Sequence, residues 1–151
     1  MARARPGPAI GGLLPDSEGI TVTRRKRNAT STTDWYAVDL HMHTPASKDY
    51  QDEGVTYLDI LKKAESEGLS IIAFTDHNSV AGYARMAREI EDLTRWEAAD
   101  RLRPEEKAHL DEYRRLTEKV LVLPGFELTA TFGFHVIGVF DPETDEVLGI
   151  A

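Results

Sequence analysis

From Trp35 onward the apolar positions of the chain recur with two different periods, and the switches between them mark out elements. "WYAVDLHMH" (35–43) predicts a strand, and residues 44–55 read as a loop. From Thr56 to Glu67, Leu58, Leu61 and Ala64 share one stripe, which predicts a helix capped near Thr56 or Val55 and ended by Gly68. "LSIIAFTDH" (69–77) is a nearly continuous apolar run, as expected of a strand covered on both faces. Asn78 and Ser79 then offer N-caps to a helix whose stripe is Val80, Tyr83, Met86, Ile90, Leu93 and Trp96. After a break at "DRLRP", Pro104 opens a second helix to about Lys119, with Ala108, Tyr113, Leu116 and Val120 inward. "VLVLPGFELTA" (120–130) and "GFHVIGVF" (133–140) predict two more strands, and "DPETDEVLGIA" trails off after a turn at Asp141–Pro142. Residues 1–33 show no lasting period and read as a basic, mostly disordered segment, "GITVT" being its one candidate strand, ahead of a domain at 34–151.

Strand, helix, strand, helix, strand predicts an α/β fold with parallel pairing through right-handed crossovers. The composition, 41% hydrophobic and 29% charged, suits one globular domain. No apolar run approaches the ~18 residues of a membrane helix, so no membrane partner is expected. "AIGGLL" is too short for a secretory signal, the "NAT" sequon at Asn28 is discounted accordingly, and a cytoplasmic location is the simplest reading. The absence of cysteine excludes disulfides and thiolate metal sites. Charge is uneven: residues 1–33 carry +4, which leaves −12 on residues 34–151 of a chain that totals −8. So acidic a body argues against a general nucleic-acid grip. "RRKR" reads as a solvated tail or as a contact for nucleic acid, and a nucleic-acid partner stays open.

The chemistry gathers at the strand ends. His41 and His43 are two apart, so in a strand they point the same way, about 7 Å apart along the backbone. Asp76 and His77 close the second strand and Glu127 the third, at the edge where parallel α/β folds build sites. His135 lies in the fourth strand and Asp49 in the first loop, whereas His109 reads as a solvated residue of a charged helix. Any one of these histidines alone reads better as a satisfied core residue; the set points to metal. Imidazoles and carboxylates without sulfur suit zinc, manganese or iron. Glu127, with two oxygens, suits a bridge between two cations, which together activate water and hold phosphoryl oxygens. Asp76 either orients an imidazole from behind or caps the helix that follows "DHNS". Lys48 reads as a solvated lysine or as an attractor of phosphate.

"DLHMHTPASKD", "AFTDHNS", "LPGFELT" and "FHVIGVF" occur in an order that resembles the PHP (polymerase and histidinol phosphatase) domain, over roughly Trp35 to Phe140. The run "HTPAS…TDHNS" is also similar to PHP modules at the front of large AAA-like ATPases associated with DNA repair. The resemblance implies a distorted seven-stranded, TIM-like (β/α) barrel holding up to three divalent metals. It further implies a phosphoesterase acting on a phosphorylated small molecule, a nucleotide or a nucleic-acid end. Carried over, His41, His43 and Glu127 anchor the nucleophile site. Asp49 and His77 bind a third metal, and His135 binds the second. A further His and a terminal Asp-x-His of that pattern have no counterpart before Ala151. The expectation is therefore the first half of a barrel, poorly active by itself and completed by a second half or a C-terminal ATPase. A non-catalytic or regulatory PHP module is the alternative, and an amidohydrolase-like metallohydrolase a third.

Overall fold

The computed structural model describes residues 35–52 and 54–143. The basic segment 1–33, "GITVT" and the "NAT" sequon within it, and the tail after Glu143 lie outside the described residues. Seven elements follow in chain order: β1 (Ala37–Met42), α1 (Tyr57–Ser66), β2 (Leu69–Phe74), α2 (Ala81–Ala98), α3 (Pro104–Thr117), β3 (Leu121–Thr129) and β4 (His135–Val139). The strands form one sheet in the order β1-β2-β3-β4. β1 runs parallel to β2 and β2 parallel to β3, as the alternation of elements predicts. β4 is antiparallel to β3. It returns through a short hairpin in which Ala130 N–H donates to Phe134 O (2.7 Å). The last step of this mixed α/β fold is thus not a helical crossover.

Local chemistry accounts for the helices. Thr56 caps α1: its hydroxyl accepts from Asp59 N–H, while the Asp59 carboxylate accepts from Thr56 N–H. Gly68 follows that helix at φ 72°, a conformation L side chains resist. Pro104 occupies the first turn of α3, where its missing N–H costs nothing. The helices pack on the sheet face bearing Ile72, Phe74 and Val122. With these lie Leu61 of α1, Met86 and Leu93 of α2, and Leu110, Tyr113 and Leu116 of α3. The other face is less covered: Ile71 lies in register between Val38 and Leu121, which are 49% and 40% exposed.

Several expectations need correction. α2 begins after Val80, which makes no side-chain cap. Its first N–H groups are served by Ser79 Oγ (to Ala81, 3.0 Å) and by the Asp76 carboxylate (to Gly82, 3.1 Å). Asn78 instead takes a positive φ of 52° in the turn before it. Trp96 ends the α2 stripe 46% exposed. Tyr113 and Leu116 of α3, and Val120 just beyond it, are buried as expected, but Ala108 is exposed and Leu110 takes the inward place. His109 is not a free surface residue. It is partly covered between α2 and α3, 3.3 Å from the Glu89 carboxylate and with its ring 5.2 Å from that of Tyr113. β2 is fully buried only in its second half, over Ile72–Phe74. Among the described residues no helix is long and apolar enough to cross a membrane.

Candidate metal centre

Three chain segments meet at the C-terminal edge of the parallel strands. β1 supplies His41 from its penultimate position and His43 one residue beyond its end. That end is fixed by β2: Thr75 N–H donates to Met42 O (2.8 Å), and Met42 N–H donates to Thr75 Oγ1 (3.1 Å). β3 supplies Glu127, only 1% exposed. Its own backbone is tied to the turn after β2, with Glu127 N–H on Asp76 O (3.0 Å) and Asn78 N–H on Glu127 O (2.8 Å). His77 lies in that turn and pairs with Glu127 in an isolated bridge. Glu127 therefore reaches over the end of β2 toward β1.

The side chains converge on that carboxylate. Glu127 Oε2 is 2.9 Å from His41 Nε2, 2.8 Å from His43 Nε2 and 3.5 Å from His77 Nδ1. Glu127 Oε1 pairs with His135 Nδ1 across the β3–β4 hairpin. The other nitrogen of His43, Nδ1, is 2.9 Å from Asp49 Oδ2, which His77 Nε2 approaches to 3.4 Å. The rings of His43 and His77 stand 4.6 Å apart at 66°. Two triads result, His41–His43–Glu127 and His43–Asp49–His77, each with ligand atoms within 4.8 Å of one another. Burying a carboxylate is expensive unless it is paired with positive charge. The groups gathered on Glu127 are all imidazoles. A divalent cation with nitrogen and oxygen ligands fits that donor set.

The carboxylate of the second triad is prepared locally. The Ser47 hydroxyl donates to Asp49 Oδ1, and the His43 ring adds to it, so that Asp49 is held down to about 2. It is ionised at any neutral pH, as a ligand must be.

Asp76 does not orient an imidazole. Its Oδ1 accepts from Thr44 N–H (2.7 Å), and its Oδ2 accepts from the Thr44 hydroxyl (2.8 Å) and Gly82 N–H (3.1 Å). Of the two roles open to it, the helix-capping one is realised. Burial pushes the Asp76 carboxyl up, and the Thr44 and Gly82 donors pull it back. The chain is folded tightly around this carboxylate. A Cβ on Gly82 would come within 2.2 Å of Asp76 Oδ2 and 2.3 Å of Thr44 Oγ1.

Six expected ligands thus come together: His41, His43 and Glu127 in one triad, Asp49 and His77 with His43 in the other, and His135 against Glu127. Lys48 is exposed on the loop. Thr44, Ser47 and Gly82 escaped the sequence reading because none carries a charge or a ligand atom of note. The signal available was a Gly in the first turn of a predicted helix, where helix propensity disfavours it and a close approach explains it. No family model matches the chain, and no curated protein matches it.

Proposed function

We propose that the chain is a metal-dependent phosphoesterase of PHP type, its sheet being part of a TIM-like barrel. The supporting observation is the buried Glu127 carboxylate with imidazoles from β1, from the turn after β2 and from β4 gathered around it. His41, His43 and Glu127 would hold one ion, Asp49 and His77 would contribute to another, and His135 would reach the second oxygen of Glu127. When bound, such ions lower the pKa of water and neutralise phosphoryl oxygens, which is the chemistry that phosphate-ester hydrolysis requires. The residues do the rest. Strand pairing fixes His41 and Glu127, so their donor atoms meet without a conformational search. Ser47 holds Asp49 aimed at His43. His41 and His135, each about half exposed, line the side from which a phosphorylated small molecule or nucleotide would enter.

That openness also favours a second reading, a PHP module that binds metal without turnover. Phosphate release from p-nitrophenyl phosphate, measured with and without manganese or zinc, tests the first. The expected outcome is weak metal-dependent release, abolished in both His43→Ala and Glu127→Gln. Metal uptake without release selects the regulatory reading. Release unaffected by His43→Ala and Glu127→Gln sinks the site assignment.

A further inference from the structure

The two triads are held by different parts of the fold. His41 and Glu127 sit on strands, and the sheet fixes them. His77 sits in a turn bridged to Glu127 of β3, whereas Asp49 sits in a loop outside the sheet, so something besides the sheet must hold the Asp49 loop to the His77 turn. The cluster of Thr44, Asp76 and Gly82 lies at the root of both. Thr44 is the residue after His43 and carries the turn that leads to Asp49. Ser47 N–H donates to Thr44 O (2.9 Å), Ala46 N–H donates to Thr44 Oγ1 (3.1 Å), and the Ser47 hydroxyl then holds Asp49. Asp76 immediately precedes His77. Thr44 and Asp76 are 0% and 1% exposed, and their two hydrogen bonds are the buried side-chain tie between these loops. Gly82 closes the cluster from α2 and leaves no room for a methyl group there.

We propose that Thr44, Asp76 and Gly82 form a positioning latch, which sets the distance between Asp49 and His77 and so governs metal capture by that pair. The latch touches no reacting atom. It acts through the loops it joins, whereas His41 and Glu127 are held in place by their strands. The inference rests on the metal-centre reading above and adds a division of labour within it. Loss of a group that orients metal ligands typically weakens binding about 10- to 100-fold.

The test is equilibrium dialysis of the full 151-residue chain against zinc and, separately, manganese, with far-ultraviolet circular dichroism and melting as checks on folding. The parent is expected to take up two equivalents. Thr44→Val, which removes the hydroxyl from Asp76 and Ala46, should weaken one equivalent about tenfold or more and leave the other near its parent affinity. Thr44→Ser, which keeps the hydroxyl, should restore it. Gly82→Ala should repeat the Thr44→Val result. If Gly82→Ala fails to fold, the threonine pair decides. Equal binding by parent and Thr44→Val would overturn the latch and leave the metal centre standing. Parallel loss of both equivalents would reduce these residues to general structural support and overturn it too. A parent with a single equivalent would refute the division between triads, and a parent with none would remove the metal reading and the latch together.

Discussion

Gly125 separates packing from chemistry within one strand. It lies two residues before Glu127, on the same face of β3. A Cβ there would meet the Gly138 carbonyl oxygen at 2.5 Å, Thr75 Cγ2 at 2.9 Å and the Phe74 carbonyl oxygen at 3.3 Å. Two of these are backbone atoms of the neighbouring strands, and backbone yields little. Gly125→Ala should therefore cost about 1–3 kcal/mol, the usual range for overpacking, read as a lower urea midpoint at unchanged slope. It should also pull Glu127 away from His41, so metal uptake should fall in the fraction that remains folded. The candidate ligand residues were legible in the sequence because imidazoles and carboxylates at strand ends carry their chemistry in their identity. Thr44, Ser47 and Gly82 were not, because their contribution lies in what they touch, and contacts 32 residues apart (Thr44 to Asp76) leave no local pattern.

At the scale of elements, helix existence and stripe were legible wherever burial imposed a period. Leu58, Leu61 and Ala64 are all buried as the spacing of three demands. On α3 only the Ala108 position was misread, because alanine is compatible with either face, whereas Leu110 has to be inside. What joins the helices to one another was not legible, since it depends on facing charges. Arg115 donates to both oxygens of Glu65, tying α3 to α1, and Arg114 and Lys107 tie α3 to Glu97 of α2. The Arg115 guanidinium and then the Lys119 ammonium hold Glu65 from an ordinary 4.5 down to about 2. A carboxylate depressed by folding stabilises the fold above its unfolded pKa and stops doing so as pH falls through its folded one. The melting temperature of Glu65→Gln should accordingly lie below that of the parent at pH 6. The gap should close between about pH 4.5 and 2. A gap that persists unchanged at pH 2 would mean that Glu65 acts by packing. The effect should be small, because the pair is partly solvated.

On the whole-molecule scale, the parallel order of β1, β2 and β3 followed from alternation alone, and the antiparallel β4 did not. Five residues between Thr129 and His135 are too few for a crossover, so the hairpin was implicit in the spacing but hidden by the preceding rhythm. The net charge of −12 on residues 34–151 adds a long-range term that no single contact shows. Acidic surroundings raise the local concentration of cations. Apparent metal affinity should therefore weaken when salt rises from about 0.01 M to about 0.15 M, as the screening length falls from about 30 Å to about 8 Å. Dialysis at the two salt concentrations measures this, and an affinity independent of salt would confine the attraction to the ligands themselves. The bridge from His41 to Glu127 has a kinetic side as well. These residues are 86 positions apart, so their meeting comes late in any sequence of folding events that begins with local contacts. An ion gripped by both is then absent from most of the climb to the folded state and present only after the summit. It would leave the rate of folding nearly untouched and act as a brake on unfolding, since β3 cannot part from β1 until the ion has let go.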